Sequence, residues 1–394
     1  MSALSTVRSA PAPAPAPAAA PEAGWPSPQA VTEVSARLRA LPPLVALGDC
    51  LELRRRLAEV AAGGAHLIQG GDCAELFAEV SAHTTRRKAA QLRELAGLLE
   101  DGTGRPALAV GRIAGQFAKP RSQPVESGPL GESLPVYRGD AVNGFAPTAE
   151  ARTPDPGRLL TAYELASDIH RYLAAETESA GRRVWTSHEA LLLDYELPLA
   201  RTLGDQHYGS SGHLLWIGER TRQPDGRHVR ALAALANPVA VKLGPATTAA
   251  DVAELVARLD PERAPGRLSF VLRCGADLVE QVLPGLVRAA ADAGARPVWI
   301  CDPMHGNTER SADGRKTRRM TRVAAEIRSF VRVLRRLGEH PGGVHLELTP
   351  DDVTECVAGP GDTPGAARYW TACDPRLNPA QARFATAVFI EEAR

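Results

Sequence analysis

Eight times along this chain a short apolar run, bounded by glycine or proline, stops abruptly at a charged or metal-capable residue. The runs are His66–Cys73, Leu108–Arg112, Arg183–Glu189, His213–Arg220, Val239–Pro245, Leu268–Gly275, Pro297–Asn307 and Gly343–Thr349. Such runs read as buried strands. Helical spacing separates most of them, most clearly over 84–99, 158–177, 249–259, 278–293 and 322–337. Eight strands alternating with helices predict an α/β chain closed into a parallel (β/α)8 TIM barrel, whose functional residues gather where the strands end. On that geometry Cys73, Arg112, Glu189, Glu219, Arg220, Lys242, Arg273, His305 and Glu347 converge on one mouth. A purely structural barrel has no use for such a row.

The chain's 394 residues accommodate that barrel with extensions. Residues 1–24, rich in Ala-Pro repeats, predict a disordered leader. Residues 25–62 predict a helical extension, with helices over 31–41 and 51–61 parted by Pro42-Pro43, and residues 63–394 the catalytic barrel. The Gly- and Pro-rich stretch 123–156 is too long for a bare connector and is a candidate functional loop. Lys plus Arg and Asp plus Glu both number 46, so nothing favours nucleic acid or an anionic membrane as partner. No apolar run approaches the ~20 residues of a membrane span, and the first residues lack a signal-peptide core. A soluble cytoplasmic protein is expected. Six cysteines without CxxC spacing read as reduced buried thiols, one of them a candidate ligand.

Cation usage is more telling. Only Lys88, Lys119, Lys242 and Lys316 are lysines among the 46 cations. A lysine kept at a strand end in so arginine-rich a chain suggests that a compact ammonium is wanted there. Arg112, Arg220, Lys242 and Arg273, with Lys119 nearby, form a set suited to phosphate and carboxylate oxygens; the bland alternative is pairing with Glu189, Glu219 and Asp302. Cys73, His305 and Glu347, joined by Asp374, offer a thiolate, an imidazole and two carboxylates to a divalent ion such as Mn, Fe, Co or Zn. A metal beside a polyanion site fits both aldol-type condensation and metal-assisted hydrolysis.

The chain resembles the class II (plant-type) 3-deoxy-D-arabino-heptulosonate 7-phosphate (DAHP) synthases. The resemblance is carried by Gln69-Gly-Gly-Asp-Cys-Ala-Glu75, Val110-Gly-Arg-Ile-Ala-Gly-Gln-Phe-Ala-Lys-Pro-Arg-Ser122, Trp216-Ile-Gly-Glu-Arg-Thr-Arg222, Val241-Lys-Leu-Gly-Pro245, Cys301-Asp-Pro-Met-His-Gly-Asn307, Lys316-Thr-Arg-Arg319, His345-Leu-Glu-Leu-Thr349 and Ala372-Cys-Asp-Pro-Arg-Leu-Asn378. It implies condensation of phosphoenolpyruvate with erythrose 4-phosphate and water, opening the shikimate pathway. Close relatives use an amino or imino analogue of the aldose phosphate in aminoshikimate-type secondary metabolism, through the same motifs. The implied metal ligands are Cys73, His305, Glu347 and Asp374, with Mn or Co as the expected ion and Zn or Fe as alternatives. The implied phosphoenolpyruvate contacts are Arg112, Glu219, Arg220, Lys242 and Arg273, and the aldose-phosphate contacts Lys119 and Ser122. Lys242 and Glu219 are the catalytic candidates, and a lysine crowded by arginines is expected to have a lowered pKa. Cys373 adjoins Asp374, so both Cys73 and Cys373 are expected at the metal, either as reduced thiols or as a pair that oxidation joins. Family members are usually dimers or larger, so a homo-oligomer is expected. Segments between Ser122 and Arg183 are shorter than in large regulated members, which predicts weak or absent inhibition by aromatic amino acids.

Overall fold

All eight predicted strands form: β1 His66–Gly71, β2 Ala107–Arg112, β3 Val184–Glu189, β4 Leu214–Ile217, β5 Val239–Leu243, β6 Leu268–Leu272, β7 Val298–Cys301 and β8 Pro341–Glu347. They pair in parallel in chain order, and β8 closes on β1. This computed structural model describes residues 23–121 and 123–394. Most of the predicted leader, and Ser122, lie outside the described residues.

Strand alternation sorts each run into two faces. Leu67, Leu108, Val110, Trp185, Leu214, Trp216, Ala240, Val271, Val298 and Ile300 form one buried cluster inside the ring. Their neighbours, among them Ile68, Ala109, Leu215, Val241, Phe270 and Trp299, pack outward into the core shared with the helices. The inward row continues toward the strand ends as Gln69, Arg112, Ser187, Lys242 and Glu347, all buried. The apolar-to-polar switch in the sequence is thus a change of level inside one barrel.

The helices are α1 Pro28–Ala40, α2 Leu47–Ala61, α3 Ala82–Thr103, α4 Arg158–Ala180, α5 Leu193–Glu196, α6 Arg227–Ala233, α7 Ala249–Leu259, α8 Val279–Asp292, α9 Met320–Arg336 and α10 Pro379–Ala393. The second helix of the N-terminal extension shares the inner core: Leu53, Leu57 and Val60 of α2 belong to the cluster that fills the ring. This helix plugs the end of the barrel opposite the mouth. Leu57 is 1% exposed, so Leu57→Ala is expected to lower unfolding free energy by about 2–5 kcal/mol in a urea titration. A loss below about 0.5 kcal/mol would show that the plug carries no load.

Three segments differ from expectation. Between β3 and β4 there is only the single turn α5 and a hairpin of Ala200–Leu203 with Gln206–Gly209. The candidate loop over 123–156 contains a second hairpin, Val125–Ser127 with Ser133–Pro135. The helix α10 was not anticipated. Its start is nevertheless written in the sequence, since Asn378 and Gln381 form a capping box with Pro379 at the first turn. No helix among the described residues is long and apolar enough to cross a membrane.

Candidate active site

A pocket of about 330 Å³ opens at the strand ends, and Cys73, Arg112, Lys119, Glu219, Arg220, Lys242, Arg273, His305 and Asp374 all line it. Glu347 stands fully buried beneath, bonded to Arg112 and Lys119. Of the sequence-predicted site residues, only Ser122 cannot be placed. The described lining carries seven Lys and Arg against three carboxylates, an excess that calls for an anionic ligand.

The acidic floor is built around Glu347 at the end of β8. Its Oε1 lies 3.2 Å from Arg112 Nη2, 3.3 Å from Lys119 Nζ and 3.1 Å from His305 Nε2, and its Oε2 accepts from Arg318 Nη2 at 2.7 Å. Burial alone would raise the Glu347 carboxyl, but His305, Lys119 and Arg318 hold it well below the usual carboxylate range. Asp374 arrives from the loop before α10 and meets Lys119 Nζ at 2.5 Å and Lys316 Nζ at 2.7 Å. Donor atoms of His305, Glu347 and Asp374 fall within 4.8 Å of one another. The Cys73 sulfur does not share that span with all three, but it is tied to the group by the Asp374 N–H at 3.2 Å. Burial opposes ionisation of Cys73, yet a hydrogen bond from Cys373 and the Lys119 ammonium bring its thiol down to about 6. Both cysteines are free thiols.

This donor set fits a divalent ion. It combines an imidazole, two carboxylates held anionic and an easily ionised thiol. His305 is also prepared as a ligand. Its Nδ1 is 2.7 Å from Asp302 Oδ2, so Nδ1–H donates to the carboxylate and Nε2 faces the other donors. Asp302 in turn pairs with Lys242 at 3.0 Å and accepts the backbone N–H of Met304 and His305. Of the three acids expected to pair with the rim cations, Asp302 thus holds Lys242. Burial is the first cause of the lowered Lys242 pKa, Asp302 opposes it and Arg112 adds to it; crowding by arginines is the lesser part. Glu219 is raised by burial against the pull of Arg222 and Arg273. Its carboxylate leans over Gly244, where an added Cβ would come within 2.7 Å of Glu219 Cδ.

Sequence reasoning missed the supports. Arg318 is fully buried between Glu347 and the Pro375 carbonyl; its signal was the unexplained Lys316-Thr-Arg-Arg319 motif. Asp72 binds Lys88 at 2.5 Å and Arg376 at 2.7 Å, and Arg376 continues to Glu355 at 2.9 Å. That chain anchors the residues next to Cys73 and Asp374. Glu75 accepts the backbone N–H groups of Ala114, Gly115 and Gln116, holding the loop that leads to Lys119. All four lysines are therefore explained: each faces a carboxylate at or behind the mouth.

Glu326 on α9 joins two strand exits. It accepts the Gly275 N–H and the Asn307 amide, both at 2.7 Å. Burial raises its pKa from the ordinary 4.5 to about 8. A carboxyl raised on folding favours the folded state less and less as pH climbs from the unfolded to the folded value. The stability advantage of wild type over Glu326→Gln is expected to shrink by about 1.4 kcal/mol per unit between pH 5 and 8. A difference independent of pH in urea titrations refutes this.

Barrel and mouth together define a TIM-barrel protein whose cation-rich pocket adjoins a donor set that fits a divalent ion. The Class-II DAHP synthetase family model matches residues 15–184 and 176–390, and the chain belongs to that family. It is 44% identical over 412 residues to the phospho-2-dehydro-3-deoxyheptonate aldolase of Streptomyces coelicolor, with 91% of each chain covered. It is 46% identical over 369 residues to a probable phospho-2-dehydro-3-deoxyheptonate aldolase of Pseudomonas fluorescens, again with 91% of each covered. The solved structure of the phospho-2-dehydro-3-deoxyheptonate aldolase of Francisella tularensis shares the fold at TM-score 0.57 and 14% identity, covering 91% of this chain and 96% of that one.

Proposed function

We propose that this chain condenses phosphoenolpyruvate with erythrose 4-phosphate and water to DAHP and inorganic phosphate, as a cytoplasmic enzyme. The carrying observation is one pocket in which the cation row meets His305, Asp374 and Cys73, with Glu347 buried directly beneath. Arg112, Arg220, Lys242 and Arg273 hold the carboxylate and phosphate of phosphoenolpyruvate, and Lys119 with Ser122 the aldose phosphate. A divalent ion, Mn or Co by preference and Zn or Fe otherwise, supplies Lewis-acid polarisation of the aldehyde when bound by the four donors. The π pair of phosphoenolpyruvate forms the new bond from carbon 3 to the aldehyde carbon, and the aldehyde oxygen takes a proton. Water adds at carbon 2, one of its protons restores the group that protonated the aldehyde oxygen, and the other passes to the phosphate as its bond to carbon 2 breaks and the ketone carbonyl forms. Lys242 is the candidate proton donor. Glu219, whose Oε2 is buried with no hydrogen-bond partner among the described residues, is the candidate for orienting the water.

The test is phosphate release by EDTA-treated protein with both substrates, with and without Mn or Co. Metal-dependent release that requires the aldose supports the reading; no release under any metal, with turnover of an amino or imino analogue instead, transfers it to the aminoDAHP reaction. We further expect a homo-oligomer by light scattering. Inhibition by Trp, Phe or Tyr is expected to be weak or absent, and inhibition of the same assay at micromolar concentration refutes that expectation.

A further inference from the structure

The guanidinium of Arg112 is committed on nearly every side. Nε donates to the Asp72 carbonyl at 3.1 Å, Nη2 to Glu347 Oε1 at 3.2 Å and the Cys73 carbonyl at 3.4 Å, and Nη1 stands 2.5 Å from His345 Nε2. On the far side of that ring Nδ1 is 2.7 Å from Gln69 Oε1. Gln69 Nε2 is 3.0 Å from Ser187 Oγ, and Ser187 Oγ is 2.8 Å from the Gly111 carbonyl. Gln69 and His345 are register partners across β1 and β8, as are Arg112 and Ser187 across β2 and β3. All four side chains are buried.

The two ends of this chain decide the direction of every bond in it. The Gly111 carbonyl can only accept, so Ser187 donates to it, and Ser187 Oγ accepts from the Gln69 amide nitrogen. Gln69 Oε1 then faces the ring and accepts from Nδ1–H. His345 Nε2 is left with its lone pair, which is what a donor-only guanidinium requires. With the Gln69 amide turned over, an Nε2–H would point at an Arg112 N–H. A neutral acceptor also differs from a carboxylate here: it orients the fork without cancelling more of its charge, Glu347 being already opposite Nη2.

We propose that His345, fixed as the Nδ1–H tautomer by Gln69 and Ser187, is a positioning residue that holds the Arg112 guanidinium so that its remaining Nη1–H is aimed at the anionic ligand, and takes no part as metal ligand or proton carrier. This rests on Arg112 contacting phosphoenolpyruvate.

The first test needs no turnover. Nitrogen-15 spectra of histidine-labelled, metal-free protein, with His345 assigned by loss of its signals in His345→Asn, are expected to show protonated Nδ1 and bare Nε2. The opposite tautomer overturns the proposal. The second uses Gln69→Leu, at a residue that lines no part of the pocket. Leucine keeps most of the bulk but offers Nδ1–H no acceptor, so the ring is free to turn an Nε2–H against Arg112. The KM for phosphoenolpyruvate is expected to rise roughly 10- to 100-fold, with kcat less affected and affinity for Co within about twofold of wild type. Unchanged KM, or equal loss of Co affinity, overturns the proposal. Should that variant not fold, Ser187→Ala removes only the far end of the chain and is expected to shift KM in the same direction. Failure of the parent reading is separately visible, because wild-type protein would then release no phosphate from phosphoenolpyruvate with either the aldose phosphate or its amino or imino analogue.

Discussion

Glu347→Ala is expected to abolish turnover, lowering kcat/KM at least ~10³-fold, and to weaken the fold by about 3–5 kcal/mol. The reason is the number of groups that depend on this one carboxylate. Arg318 meets it at 2.7 Å, His305 at 3.1 Å, Arg112 at 3.2 Å and Lys119 at 3.3 Å, and the carboxylate itself is closed to solvent. Truncation leaves Arg112 and Arg318, each at most 2% exposed, beside Lys119 without their shared anion. Breaking a buried pair costs more than the pair is worth, because the surviving charge stays desolvated. Glu347→Gln keeps the volume and one acceptor while losing the charge, so it is expected to match the alanine variant in activity and metal content. Metal analysis after dialysis, urea unfolding and initial rates of phosphate release separate the effects; a Glu347→Gln protein retaining wild-type metal content would remove Glu347 from the donor set.

Lys242→Arg is expected to cost roughly 10²–10⁴ in kcat, the usual contribution of a positioned proton-transfer group. Arginine preserves the positive charge but spreads it over a plane and does not lose its proton near neutrality. The wild-type ammonium is compact, buried, 3.0 Å from Asp302, and 5.7 Å above the Trp216 ring. A guanidinium there would also have to displace Asp302, whose other duty is to orient His305. Metal affinity must therefore be measured beside the rates. Near-normal kcat in Lys242→Arg would show that only charge is required, and a loss of metal affinity in step with kcat would show disturbance of His305 instead.

The barrel was legible because its signal is local. Each strand carries its own switch from apolar to charged residues, and strand order in the ring is chain order. The donor set was only weakly legible from strand ends and donor chemistry and was strengthened by motif resemblance, since no spacing joins Cys73 to Asp374. What stayed illegible depends on partners chosen by the fold. Asp72 and Arg376 pair across 304 positions and Arg87 and Asp351 across 264, and nothing in either local sequence announces the other. The Arg54-Arg55-Arg56 run reads as a solvated helix face, and Arg55 and Arg56 do pair on the surface with Glu52; the very next residue, Leu57, instead faces inward to fill the ring. α10 escaped because its buried residues Ala382, Ala385, Thr386, Val388, Phe389 and Ala393 include small side chains that give periodicity little contrast.

The four lysines, already accounted for one by one, have a joint consequence for chemical labelling. Reactive acyl donors and amine-directed cross-linkers ordinarily spread over a protein's whole exterior. On this chain the side-chain amines available to them are Lys316, whose side chain is 36% exposed, and three others held at or behind the mouth, Lys88, Lys119 and Lys242, each under 12%. Acylation of Lys88, Lys119 or Lys242 is a reporter of how often the mouth loosens, and cross-links between lysines carry almost no information about the protein's outer faces.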